Sequence, residues 1–250
     1  MANIISIHSF RRGTGKSIVA ANVASLLAST GCRIGLVDAD LQSPALSTLF
    51  GLDEAAITRS LNDYLWGRCD IEQTAHDVTS CLNTPIAGQI FLIPANPDPN
   101  EIARMLRKGN DLTLLNDGFQ TLIEELRLDA LIVDTHAGLH EEALTLMAIC
   151  DVLVIMLRHD QQDYQGTSVI VGLARRLNVP RVVLIGNEVL LSFDVADVKT
   201  QIEQTFNCVV AAVLPHSDEL MALASADIFS LRYPHHPVTS AFKQIVVTVA

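Results

Sequence analysis

Ser9-Phe10-Arg11-Arg12-Gly13-Thr14-Gly15-Lys16-Ser17 is the stretch whose reading decides the fold. The apolar run Ile4-Ile5-Ser6-Ile7 before it reads as a buried strand, and Ile18 through Leu27 after it reads as a helix. Strand, glycine-bearing loop, Gly-Lys-Ser and helix together make a phosphate cradle. Loop amides point inward at the anion, the helix N-terminus adds positive potential, and Lys16 brings a mobile ammonium. Arg12, Gly13, Thr14, Gly15, Lys16, Ser17 and Ile18 are the residues expected around a bound nucleotide. The Ser17 hydroxyl is placed for a Mg²⁺ ion that bridges the terminal phosphates. A Gly-Lys-Ser triplet by itself is common; the strand before it and the helix after it give it meaning.

Outward from this loop, apolar strand-like runs alternate with helix-like segments, the pattern of an α/β fold with a mostly parallel central sheet flanked by helices. Further strands are expected at Arg33–Val37, Gln89–Ile93, Ala130–Val133, Val152–Leu157, Val182–Ile185 and Val209–Leu214, with Ala130–Val133 the most central. Short helices are expected over Pro44–Gly51 and Ser60–Leu65. Longer ones run from a cap at Asn100 through Leu106, from Asp117 or Gly118 through Leu126, and over Glu141–Ala148, Gln165–Leu177 and Val195–Phe206. Two more pieces lie near Glu219–Ala224 and Thr239–Val247, and the polar stretch from Gly67 to Gly88 has no clear pattern. No repeat or linker divides residues 1–250, so a single phosphate-loop NTPase-type domain is expected.

A hydrophobic content of 49% with 18% charged residues excludes a disordered chain. No apolar run reaches the roughly 18 residues of a transmembrane helix, and Met1 leads straight into the strand without a leader pattern, so a cytoplasmic protein is expected. The five cysteines, Cys32, Cys69, Cys81, Cys150 and Cys208, include no C-x-x-C pair and read as reduced thiols. A net charge of −11 argues against broad charge-driven binding to nucleic acid or anionic lipid. Arg104, Arg107 and Lys108 are the best local basic candidate, more simply read as a solvated helix face.

Ligands of an open parallel sheet sit outside the carboxyl ends of its strands, and polar clusters fall there. Asp38 and Asp40 lie just past a strand and suit either a metal shell and a water, or a cap on the turn to the next helix. Asp134 ends a continuous apolar strand, the usual second acidic position of a phosphate-loop site, where it holds Mg²⁺ through water. Gly138 then permits a backbone swing. His136 and His140 are four apart, which suits a solvent-facing turn better than a metal pair lacking a third ligand. Asn187 and the Leu214-Pro215-His216 segment also follow strands. Arg158 through Tyr164 reads as a switch-adjacent surface, as a dimer contact, or as the start of a helix capped by Asp163.

The loop resembles that of the MinD/ParA family of dimerising ATPases, whose usual pattern is K-G-G-x-G-K-[ST]. Arg11 stands for the signature lysine, Arg12 for the first glycine, and His136 where the family more often has proline. The resemblance implies hydrolysis of ATP with Mg²⁺, Lys16 holding phosphates, Asp40 orienting the attacking water and Asp38 supporting the metal region beside Ser17 and Asp134. It also implies that Asn187 and Pro215 hold the adenine, and that Arg11 reaches across an ATP-bound homodimer onto the partner's phosphates. A protein partner or cargo, unidentified from the chain, is then expected. The C-terminal segment lacks the basic amphipathic membrane helix of MinD-like proteins. Two rivals remain. One is a bacterial tyrosine-kinase-like domain, similar at Val37–Leu41 but without a terminal tyrosine cluster; the other is a nucleotide-binding scaffold with little turnover.

Overall fold

The computed structural model describes residues 2–108 and 112–250, the side chains of 105–108 excepted. Among the described residues eight strands form one sheet: β1 (Asn3–Ser9), β2 (Arg33–Ala39), β3 (His76–Asp77), β4 (Gln89–Ile93), β5 (Ala130–Thr135), β6 (Val152–Arg158), β7 (Arg181–Val189) and β8 (Val209–Pro215). Their order is β3-β4-β2-β5-β1-β6-β7-β8, parallel throughout except for β3, which pairs antiparallel with β4 at the edge. That edge strand comes from the polar Gly67–Gly88 stretch, and its two residues are too short a run for periodicity to reveal.

Among the described residues eleven α-helices cover the sheet: α1 (Lys16–Ser29), α2 (Leu46–Leu49), α3 (Leu61–Leu65), α4 (Pro99–Lys108), α5 (Leu114–Glu125), α6 (Glu141–Ile149), α7 (Gln161–Arg176), α8 (Val195–Phe206), α9 (Asp218–Leu223), α10 (Phe229–Arg232) and α11 (Pro237–Val249). Strand side chains alternate between two cores. Ile5, Ile7 and Ile132 face Val19, Val23 and Phe242 of α1 and α11. Ile4, Leu131 and Val133 face Phe119, Leu146 and Ile170 of α5, α6 and α7. The central β5 is buried at every residue. This is a single-domain α/β fold with a mostly parallel sheet between two helical layers.

Several helix starts differ from expectation. Helix α4 begins at Pro99, with the Asp98 carboxylate accepting the Asn100 N–H at 2.7 Å, so Asp98 takes the cap role expected of Asn100. Asp117 and Gly118 lie inside α5; Gly118 is there because a Cβ would fall 2.7 Å from the Tyr64 hydroxyl packed on it. Helix α7 starts four residues early, capped by Asp160, whose carboxylate accepts the Asp163 N–H at 2.9 Å. Asp163 is therefore not the cap.

Parallel order puts the ends of β2, β5, β1 and β6 side by side. Asp38 pairs with Asp134 across β2 and β5, and Ile7 pairs with Asp134 across β1 and β5. Every residue expected at the nucleotide sits at this edge or at the neighbouring ends of β7 and β8.

Candidate active site

The loop between β1 and α1 turns on two glycines with left-handed backbone, Gly13 at φ 73° and Gly15 at φ 86°, a region costly to side-chain-bearing residues. Gly15 is also a close approach. A Cβ there would lie 2.6 Å from Asn187 Nδ2, which donates to the Thr14 carbonyl at 2.8 Å. Asn187, inside β7 rather than after it, thus braces the loop from beneath. The α1 N-terminus opens at Lys16, buried to 7% exposure. A cleft of about 260 Å³ lies over it, lined by Arg12, Gly13, Lys16, Ser17, Asp40 and Ser43. A smaller pocket of about 50 Å³ adjoins it through Gly15 and Ile18, lined by Asn187, Glu188, Leu214 and Pro215. The two spaces meet at Gly15, and Pro215 lines the smaller one.

The three acids are not alike. Asp38 is buried and already used: it accepts backbone N–H groups of Asp40 at 3.2 Å, Ala45 at 3.0 Å and Leu46 at 3.0 Å. It therefore caps the turn into α2, two amides on Oδ2 and one on Oδ1. Asp134 is equally buried, yet neither carboxylate oxygen has a partner in ordinary hydrogen-bond geometry. Burial pushes both carboxyls upward; the neighbouring Asp134 charge adds to the rise at Asp38, while the Ser17 hydroxyl and Lys16 ammonium oppose it at Asp134. A bare buried carboxylate beside a serine hydroxyl is a donor set suited to a hydrated Mg²⁺ ion, so Asp134 and Ser17 fit the metal role.

Asp40 is partly open and accepts Nδ1–H of His136 at 2.7 Å and the Ser43 N–H at 3.0 Å, both on Oδ1. His136 is not solvent-facing; it is 7% exposed, its ring wedged between Asp40 and Arg12. His8, under the loop, bonds Thr135 Oγ1 at 2.7 Å, and Thr135 in turn donates to the Ile7 carbonyl at 2.9 Å. Burial and the charge of Lys16 hold the His8 ring down to about 3, so it is neutral.

The start of the loop is tied to α7. Phe10 lies on Gly166, where a Cβ would stand 2.1 Å from its ring. Arg11 reaches Gln162 Oε1 at 2.9 Å, Asp160 at 3.2 Å and Asp163 at 3.2 Å. Asp163 is also held by the Arg158 N–H at 2.8 Å, and Arg158 approaches Glu188 at 3.7 Å. Arg11 is thus engaged within its own chain, not projecting outward. Gly166 and Glu188 are site neighbours that sequence reading missed; Asp160 and Gln162 lie in the Arg158–Tyr164 segment it singled out, with Asp160 rather than Asp163 as the cap. Arg107 and Lys108, of the basic triplet, have side chains outside the described residues, while Arg104 stacks over Trp66 at 4.5 Å.

A family model described as an AAA domain matches residues 2–179. The chain belongs to the MinD/ParA family of phosphate-loop ATPases. It is 26% identical over 246 residues to an uncharacterized ATP-binding protein of Methanocaldococcus jannaschii, covering 98% of this chain and 86% of that one. It is 28% identical over 187 residues to an iron-sulfur cluster carrier protein of Aquifex aeolicus, covering 74% of this chain and 47% of the carrier. The match thus spans about half the length of that relative. The cell division ATPase MinD of Pyrococcus furiosus superposes with a TM-score of 0.82 at 20% identity, covering 100% of this chain and 98% of that one. The Mg-ADP complex of MinD from Pyrococcus horikoshii gives 0.81 at 20% identity, covering 100% and 96%. These MinD/ParA structures share the fold.

Proposed function

We propose that this chain binds and hydrolyses Mg-ATP as a slow molecular switch, pairing with a second copy when ATP is bound and regulating a protein partner. The observation that carries the reading is Asp134, buried with both oxygens unpartnered beside Ser17 and Lys16 at the helix α1 N-terminus. Lys16 and the loop amides would hold the β- and γ-phosphates, and Asn187 with Pro215 would border the base. A bound Mg²⁺ would supply charge neutralisation at the terminal phosphates. Asp40 would orient the attacking water, which lowers the barrier mainly by positioning. A family role for Arg11 on a partner's phosphates requires it to leave Asp160, Asp163 and Gln162 first.

The cluster-carrier role stands in that relative's name alone, and the match covers 47% of its length. Among the described residues no helix is long and apolar enough to cross a membrane. A scaffold with little turnover stands as second reading, favoured by Arg11 being held in its own chain.

The test is phosphate release together with light scattering in ATP, ADP or no nucleotide, with Lys16→Ala alongside. Phosphate release abolished in the variant and a dimer only with ATP support the switch. Binding without release selects the scaffold, and phosphotyrosine on a blot selects the kinase-like rival. Unchanged ATP affinity in Lys16→Ala removes the site.

A further inference from the structure

Two departures from the family pattern, arginine for glycine at position 12 and histidine for proline at position 136, meet in one hydrogen-bonded chain. Arg12 Nη2 lies 3.0 Å from His136 Nε2 and 3.1 Å from Gln42 Oε1, and His136 Nδ1 lies 2.7 Å from Asp40 Oδ1. A guanidinium has only donors, so Nε2 must present its lone pair to Arg12. The ring hydrogen then sits on Nδ1 and points at Asp40. In this arrangement Arg12 donates to His136 and His136 donates to Asp40.

The ring has little freedom to do otherwise. It is 7% exposed, and the turn that carries it is pinned on the loop side. The Gly138 N–H donates to the Ser9 carbonyl at 2.9 Å, and Thr135 is bonded to both His8 and Ile7. On the far side, Asp40 receives His136 and the Ser43 N–H on the same oxygen, Oδ1, and neither on Oδ2. Two donors on one oxygen restrain the carboxylate, and Asp40 lines the cleft.

We propose that Arg12 and His136 are positioning residues that hold the Asp40 carboxylate in the orientation needed for the attacking water. This rests on the reading of Asp40 as the group that orients that water. Neither residue touches the reacting atoms in this scheme. Each acts through Asp40, and the two substitutions serve one purpose.

The first test needs no turnover. In nucleotide-free protein labelled with ¹⁵N in histidine, His136 should show a pyrrole-type Nδ1 and a pyridine-type Nε2, the minor tautomer of free imidazole. Arg12→Ala should shift it toward the Nε2–H form. The second test is phosphate release under saturating and limiting Mg-ATP. His136→Gln retains an amide near Nε2 and loses the donor at Asp40, so kcat should fall about ten- to a hundredfold with KM unchanged. His136→Asn places an amide N–H near Nδ1 and should recover most of that loss. Arg12→Ala should lower kcat in the wild type and do nothing further in His136→Ala. Thermal melts establish that each variant is folded. An Nε2–H ring in the wild type, equal rates for Asn and Gln, or a rise in KM alone would overturn the proposal. If the wild type itself releases no phosphate, the hydrolase reading fails with it; if it does and the variants match it, only this inference fails.

Discussion

Gly166→Ala separates the helix from the loop it supports. Alanine in the interior of an exposed helix ordinarily stabilises it by about 1 kcal/mol over glycine. At Gly166 the added Cβ would sit 2.1 Å from Cγ and Cδ1 of Phe10 and 2.7 Å from its Cβ. Unbonded carbons need roughly 3.5 Å. Turning the Phe10 ring about χ1 leaves its Cβ in place, so the loop backbone has to withdraw as well. Phe10 is 36% exposed, so nearly two-thirds of its side chain is covered. Taking a phenyl side chain as roughly 200 Å², full expulsion costs about 3 kcal/mol at ~25 cal/mol per Å². Set against the helix gain, the net loss is about 2 kcal/mol.

That loss is to be read by urea denaturation and by titration with a fluorescent ATP analogue in Mg²⁺. If it is taken as displacement of the loop rather than as global unfolding, affinity falls by up to about 30-fold. The decisive comparison adds Phe10→Gly, which removes both the ring and the Cβ at 2.7 Å. With both gone, Gly166→Ala meets no obstacle, and its sign should reverse to a gain of about 1 kcal/mol. A Gly166→Ala protein that is more stable than wild type and binds nucleotide equally well, or a double variant with additive losses, would refute the packing argument.

Gly15→Ala combines a φ of 86° with a Cβ 2.6 Å from Asn187 Nδ2, so calorimetry should show ATP affinity down at least about tenfold. Asn187→Ala in the same chain should relieve the contact but not the backbone strain. Asp134→Asn bears on pH. Burial raises this carboxyl in the fold, so the folded chain keeps a proton that the unfolded chain has released. Its stability contribution is complete below about pH 4 and is lost as pH climbs through the raised folded value. The nucleotide-free variant should therefore melt higher than wild type at alkaline pH and show a flatter profile; an unchanged profile would count against an orphaned charge. Arg11→Ala should weaken ATP-dependent pairing more than monomer affinity, measured by light scattering and titration. Equal losses would place Arg11 in its own site only.

The cradle was legible because three local signals agree there: a buried strand, glycines at left-handed positions, and a helix opening at Lys16. The central place of Ala130–Val133 was legible for a related reason, since a strand covered on both faces is apolar throughout. Partner choice was not legible. Asp38 and Asp134 look equivalent in sequence, each ending an apolar strand, and only the turn to Leu46 gives one of them its amides and leaves the other bare. His136 read as a surface residue because nothing local shows that Arg12, 124 positions away, closes over it. Gly118 misled because glycine marks helix ends, but here it admits the Tyr64 ring from a distant segment.

Three side chains at the start of the loop share a logic. Phe10 is held by Gly166, Arg11 by Asp160 and Asp163, and Arg12 by His136, so side chains order a segment that glycines would leave loose. Pre-ordering lowers the entropy cost of gripping a phosphate. It also sets the cost of releasing Arg11. Asp160 is 41% exposed, and pairs of that kind contribute about 0–1 kcal/mol. Asp163 is buried, but when Arg11 leaves it retains the Arg158 N–H at 2.8 Å and the Arg158 guanidinium at 3.5 Å. Departure therefore orphans no buried charge, the circumstance that makes breaking such a pair expensive. A contact to a terminal phosphate, charge-assisted and forked, is of at least that strength. The cis pairing of Arg11 thus weighs less for a locked scaffold than its three acceptors suggest, and favours a side chain that can change partners when the nucleotide does.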